Sequence, residues 1–299
     1  MSLEPRHAGS SMPRRGLAVA AMFLAALLFS LMTLTTKMLG NASWTKPLPT
    51  GEVTLARFGL GALAMMPLLW YRPARLLGRD RVGLVWRGLS GGLAVYTYFL
   101  AIRYTTLTNA VLLNLTSIVF APLCAWAVLK ERMGRAAGLG IVVAAVGIAL
   151  VTRPRVDALR IGDLYGLLSG ALAGAALTAV RRLRQEETAS AVFFYFSLVG
   201  VPVSAATLIG SRLVWPDAMG WRLLIAMAGS SIGAQVLMTY GYRYVTTAQG
   251  VLITLSQIVY SAAAGAWLFA EDVVPATVVG ALLILVAAIV ASRASVSRT

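Results

Sequence analysis

The sequence predicts an all-α integral membrane protein with ten transmembrane helices, laid out as two five-helix repeats that face opposite ways in the bilayer. Three observations carry this. Of the 299 residues, 59% are hydrophobic and 12% charged, where a soluble domain carries roughly 25% charged residues. Apolar runs recur along the whole chain, each close to the roughly 20 residues that a helix needs to cross a hydrocarbon core of about 30 Å. The chain also aligns with itself, without a gap, when shifted by 140 residues.

The spans are read at 16–37, 52–71, 83–103, 106–129, 135–152, 162–182, 189–210, 220–241, 245–269 and 274–292, each an apolar run bounded by polar or basic residues. They leave a polar tail over 1–15, a first repeat over 16–152, a second over 162–292 and a C-terminal tail over 293–299. The Ala-rich run from Gly16 to Met32 imitates a signal peptide, but its length and the spans that follow mark it as an uncleaved first helix.

The net charge of +15 is spread over the gaps between apolar runs instead of forming a patch, so it reports topology and not nucleic-acid binding. Most of the 26 lysines and arginines, Arg87 among them, fall on the side of the two termini. The positive-inside rule then places both termini in the cytoplasm. The loop of Arg153, Arg155 and Arg160 opposes this bias. A short Arg-rich chain of this kind fits a bacterial inner membrane.

In the 140-residue register Arg103 meets Arg243, Tyr104 meets Tyr244, Thr106 meets Thr246 and Glu131 meets Glu271, with Val, Leu and Ile matches between them. Shared hydropathy alone does not align polar pairs. A weaker echo pairs Thr33 with Thr178 and Lys37 with Arg182. An odd number of spans per copy turns the second copy upside down, and such inverted repeats place a substrate site near the midplane between the halves. The plainer alternative is a stable symmetric bundle, as in a channel or scaffold.

Polar groups inside a span are costly unless paired or facing a wet cavity, so their faces mark candidate sites. Ser30, Thr33 and Lys37 stack on one side of the first span through a three-then-four spacing. Asn114 and Ser117 share a face of the fourth span, and Thr254 and Gln257 are their repeat mates. Tyr96, Tyr98 and Tyr260, with Trp126 and Trp267, offer an aromatic wall for a small organic solute. Against this, isolated Ser and Thr commonly satisfy their own helix, and aromatics near span ends form interfacial belts.

Arg57 stands about five residues into the second span, where it pairs with Glu52 or snorkels outward. Glu131 and Glu271 each precede the next span, where negative charge favours a helix start. No carboxylate falls at a predicted midplane, so no central proton carrier is visible.

Cys124 is the sole cysteine and His7 the sole histidine, which excludes a disulfide framework and a Cys/His metal site within one chain. No cofactor is implied. Gly229-Ser230-Ser231-Ile232-Gly233 matches a hydrolase nucleophile pattern but lacks a base and a strand-to-helix elbow. It reads instead as small-residue helix packing, like Gly88 to Gly92 and the chain Gly166, Gly170, Gly174. No phosphate-binding loop is present, and no constellation supports an enzyme.

Arg57-Phe58, the run from Tyr104 through Thr105, Thr106, Val111, Leu112 and Leu113, then Glu131-Arg132-Met133-Gly134, and finally Glu271 follow the order seen in the drug/metabolite transporter superfamily. The chain resembles its EamA-type members over nearly its whole length. The resemblance implies ten helices in two repeats, cytoplasmic termini, and a central cavity lined by helices one to four and six to nine. It also implies small-solute transport, often export, and amino-acid exporters of this kind are similar in length and polar content.

One departure concerns the proline that such proteins often carry in the middle of helices four and nine. Here Ser117 and Gln257 stand at about that position, while Pro122 lies a turn later with only Ala262 opposite it. That asymmetry predicts unequal hinges in the two halves.

The expected function is a secondary carrier of small metabolites, amino acids first, working by alternating access toward export. A channel or facilitator, and a carrier of drugs or other metabolites, stand as alternatives. The expected partners are the small-molecule substrate and membrane lipid, without nucleic acid. The oligomeric state is left open, a monomer being compatible with all of this.

Overall fold

A computed structural model describes residues 11–130 and 161–270, with scattered positions between 138 and 149 and between 275 and 286. Glu131, Glu271, the loop of Arg153, Arg155 and Arg160, and most of the fifth and tenth predicted spans lie outside the described residues.

Among the described residues the regular elements are helical. They run as α1 (Ser11–Leu39), α2 (Thr50–Tyr71), the single turn α3 (Ala74–Leu77), α4 (Arg81–Tyr104), α5 (Leu107–Asn114), α6 (Ser117–Cys124) continued by a π-turn over Ala125–Leu129, α7 (Ile161–Leu183), α8 (Ala189–Ala206), α9 (Ala218–Gly241), α10 (Thr247–Thr254) and α11 (Gln257–Phe269). Among the described residues seven stretches are long and apolar enough to cross a membrane, Asn109–Leu129 and Leu252–Phe269 included. The chain is an integral membrane protein.

Helix α4 is not among those seven. It carries Arg87, Ser90, Gly88, Gly91 and Gly92 on buried positions, and its close packing against α7 and α8 shelters this polar sequence.

The helix starts are set locally. Asp80, Thr106, Thr188 and Asp217 each accept a hydrogen bond from the backbone N–H three residues on, at Gly83, Asn109, Ala191 and Gly220, which satisfies a donor that the first helical turn leaves open. Thr246 and Gln249 cap α10 reciprocally, each side chain accepting from the other's backbone N–H at 3.3 Å.

The fourth and ninth predicted spans are not continuous. Both are broken, after Asn114 and after Thr254, positions 140 apart. The same contacts mark each. Thr116 Oγ1 donates to the Leu113 carbonyl at 2.6 Å and Ser256 Oγ donates to the Ile253 carbonyl at 2.9 Å, so a side-chain hydroxyl competes with the helical ladder. The backbone N–H groups of Thr116 and Ser256 turn to those same carbonyls, tightening the chain into an i→i−3 turn.

Both breaks fall at a hydroxyl residue and neither at a proline. Pro122 falls inside α6. The two segments also end alike: Lys130 at φ 54° and Ala270 at φ 50° adopt left-handed conformations, and their N–H groups donate to Ala125 and Gly265.

Close approach of α7 holds the first broken segment in place. A Cβ at Gly170 would stand 2.7 Å from the Leu113 carbonyl, and one at Gly174 would stand 2.8 Å from the Ala121 nitrogen. Small residues are required where two backbones meet this closely.

The two ends of the bundle are clasped by side chains. On the face of the 40–49 loop, Asp217 accepts from Thr45 Oγ1 at 2.5 Å and from the Lys46 N–H at 3.3 Å. There its carboxyl is held below the usual range by the Thr45 hydroxyl and the Gly220 N–H. On the opposite face, buried Glu187 accepts from the Arg79 and Asp80 N–H groups at 2.6 and 2.8 Å.

Candidate functional site

A cavity of about 110 Å³ lies at the centre of the bundle. It draws on Phe29 and Met32 of α1, Arg57 of α2, Arg87 and Tyr98 of α4, Asn114 of α5 and Ser117 of α6. Ala176 of α7, Phe196 of α8, Gln235 of α9, Thr254 of α10 and Gln257 of α11 complete the wall. Both helix breaks open onto it. A break exposes backbone groups that a regular helix would consume, and this is tolerated at membrane depth where the chain lines a cavity.

Four of the predicted residues form one buried network beside the cavity. Thr33 Oγ1 donates to the Phe29 carbonyl of its own helix at 2.8 Å, which uses its one proton. It therefore accepts from Tyr98 Oη at 2.9 Å and from Gln257 Nε2 at 3.3 Å, filling both lone pairs. Ser30 Oγ donates to the Gln257 carbonyl at 3.0 Å and accepts from Ser261 Oγ at 3.1 Å. This ties α1, α4 and α11 together through satisfied polar groups, which in a low-dielectric setting fixes their relative placement.

Asn114 Nδ2 donates to Ser169 Oγ at 3.0 Å, joining α5 to α7. Ser117 is buried at the cavity wall, and Thr254 donates back to the Gly250 carbonyl at 2.8 Å.

Other predicted residues stand apart. Tyr96 and Tyr260 are half-buried and outside the cavity lining, and Trp126 and Trp267 are 65% and 85% exposed. They do not form the expected aromatic wall. Tyr96 is two residues from Tyr98, a turn of about 200° about the helix axis, and so points away from it. The rings at the cavity are Phe29, Tyr98 and Phe196.

Lys37 lies 4.7 Å above the Phe269 ring and lines a second cavity of about 430 Å³ on the face of the 40–49 loop, together with Phe99 and Arg103. Glu52 accepts from the Val214 N–H at 2.6 Å, fastening the start of α2 to the loop before α9.

Arg57 corrects the expectation placed on it. It neither pairs with Glu52 nor snorkels outward: it is 4% exposed, its Nε donates to Ser231 Oγ at 2.5 Å, and its guanidinium lies 5.1, 6.0 and 5.3 Å from the rings of Phe58, Phe99 and Phe196. Ser231, the centre of the hydrolase-like pattern, is thus an acceptor inside α9.

Arg87, expected among the charges at the membrane face, is 3% exposed and its guanidinium lies 4.2 Å from the Phe196 ring. The signal that could have located it is Gly91, one turn on. The Arg87 Nη1 occupies the place that a Cβ at Gly91 would take.

Burying each of these cations costs several kcal/mol, whereas a cation–π contact returns about 0.5–2 kcal/mol. The rings do not offset the burial. Arg57 Nη1 and Arg87 Nε and Nη1 are buried without a hydrogen-bond partner.

With this geometry in view, the relatives are informative. The profile of the EamA-like transporter family matches residues 16–153 and again 160–293. The chain is similar to the pseudopaline exporter CntI of Pseudomonas aeruginosa, 31% identical over 90% of this chain and 94% of that one. It is also similar to a riboflavin transporter of Brucella anthropi, 24% identical over 65% and 71% of the two chains, and to human solute carrier family 35 member G1, 28% identical over 48% and 38%. A solved crystal structure shares the fold, with a TM-score of 0.69 at 20% identity over 92% of this chain and 96% of that chain. The chain belongs to the EamA-like transporter family and is a membrane transporter of small solutes, not an enzyme.

Proposed function

We propose that this protein is a secondary carrier that exports small metabolites, with amino acids as the preferred class, by alternating access through the central cavity. In this reading it spans a bacterial inner membrane ten times, as inverted units over 16–152 and 162–292, with both termini in the cytoplasm.

The observation that carries it is the pair of helix breaks at Leu115–Thr116 and Leu255–Ser256. They stand at matched positions and face one cavity. Discontinuous helices that meet at a central site are how carriers built from repeats bind a solute and rock around it. Export is supported by CntI, whose name gives that direction and whose similarity covers nearly the whole of both chains.

Phe99 lines the second cavity while lying 6.0 Å from the Arg57 guanidinium at the central one. In the same reading, this ring layer is the gate on the face of the 40–49 loop.

Counterflow tests the carrier. Proteoliposomes preloaded with unlabelled amino acids should take up labelled solute faster than empty ones, with saturable kinetics. Unsaturable, conductive flux would instead identify a channel.

A further inference from the structure

The central cavity has a charge pattern that an amino-acid carrier in general does not require. Arg57 and Arg87 both line it, both are more than nine-tenths buried, and both stack on the ring of Phe196. Three of their nitrogen atoms, Arg57 Nη1 and Arg87 Nε and Nη1, have no hydrogen-bond partner.

Among the described lining residues there is no Asp or Glu. The second cavity repeats the pattern, with Lys37 and Arg103 and no described carboxylate in its lining. Arg57 stands seven residues into α2 from the face of the 40–49 loop and Arg87 six residues into α4 from the opposite face, roughly 10 Å along each axis at 1.5 Å per residue, and their side chains meet at Phe196. Both charges are therefore held inside the bundle, away from either end of their helices.

Two desolvated guanidiniums gathered on one aromatic ring, with open donors, call for an anion. The guanidinium fork matches the two oxygens of a planar carboxylate, and three open donor atoms suit the four or so lone-pair sites that such a group presents. A solute ammonium group would find no ionic partner among the described residues of this wall.

We infer that Arg57 and Arg87 form the substrate's anion site, and that the protein takes small organic carboxylates of net negative charge in preference to zwitterionic or cationic solutes. This rests on the carrier reading for the role of the cavity, but the site itself is tested without transport.

Thermal denaturation of the purified protein in detergent should be followed with sodium glutamate, sodium citrate, sodium phosphate and lysine hydrochloride, each against sodium chloride of equal ionic strength. Glutamate or citrate should raise Tm saturably, as selective binding to the folded state requires, whereas phosphate and lysine should not. R87Q should raise the Tm of the unliganded protein, because it removes a buried unpaired charge, and should weaken the carboxylate response at least tenfold. A merely structural arginine would lower that Tm. If R87Q does not fold, R87K and R57K keep the charge without the fork and should weaken the response at least tenfold.

No carboxylate-dependent rise, the same rise in the variants, or a larger rise with phosphate would overturn the inference. Counterflow separates the two readings. Carboxylate-dependent stabilisation without saturable exchange would remove the carrier and keep the anion site, while saturable exchange confined to neutral or cationic amino acids would do the reverse.

Discussion

Gln257 Nε2 donates to Thr33 Oγ1 across 3.3 Å, joining α11, just past its helix break, to the C-terminal half of α1. Thr33 is saturated by this bond, by Tyr98 and by its own donation to Phe29, so losing the amide leaves an acceptor position open in the network beside the cavity. Gln257→Ala is expected to lower exchange at least tenfold. A neutral hydrogen bond contributes about 1 kcal/mol, so folded yield should be retained. Exchange rates and the monodisperse yield on size-exclusion chromatography check both parts.

The hydroxyls at the two breaks give a second prediction. Thr116→Val and Ser256→Ala each remove the donor that competes for a backbone carbonyl. The local chain should become more regularly helical, with stability changed by no more than about 1 kcal/mol and exchange slowed in both variants. Slowing in one alone would show that the matched breaks act unequally.

Helix α7 is sensitive to added volume. Gly170→Ala would place a methyl 2.7 Å from the Leu113 carbonyl and against the Thr116 hydroxyl, and overpacking of this kind costs about 1–3 kcal/mol. Tm should fall clearly, whereas Gly229→Ala, in open space, should leave it nearly unchanged. Paired melting curves in one detergent make the comparison.

The clasp at Asp217 predicts a pH dependence. Hydrogen bonds from Thr45 and Gly220 hold its carboxyl below the ordinary value, so the folded state binds this proton more weakly than the unfolded chain does. The resulting stabilisation is fully present above the unfolded pKa of about 3.9 and is lost as pH falls through the lower folded value. Asp217→Asn should be less stable than the parent at pH 6, and the gap should close below about pH 4. Melting curves across that range decide it.

Much of the fold was legible because its determinants are local. The apolar run predicted at 162–182 is the helix Ile161–Leu183, and the one predicted at 220–241 is Ala218–Gly241, since hydropathy and capping residues act over a few neighbours. The breaks were not legible in that way. Thr116 and Ser256 sit in runs that read as continuous spans, and their hydroxyls bond i−3 carbonyls just as those of Ser169 and Ser230 do inside unbroken helices, so residue type alone does not mark a break.

Near the cavity, the polar faces of α1, α5 and α11 follow from spacing alone, which brings out Ser30, Thr33, Asn114 and Gln257. Tyr96 and Tyr98 could not be separated by composition. Only the rotation of α4 against its neighbours turns one inward and leaves the other outside the lining.

By itself, then, the sequence determined a helical membrane protein of the EamA type, because hydropathy and capping are written in neighbouring residues. Tertiary structure alone decided which charges are buried. Arg57 and Arg87 belong to different helices, and what makes them a pair is Phe196, which lies more than a hundred residues farther along the chain. A guanidinium near a span end can reach the membrane surface or the bundle centre with equal ease. Packing of α8 between them closed the first route and opened the second.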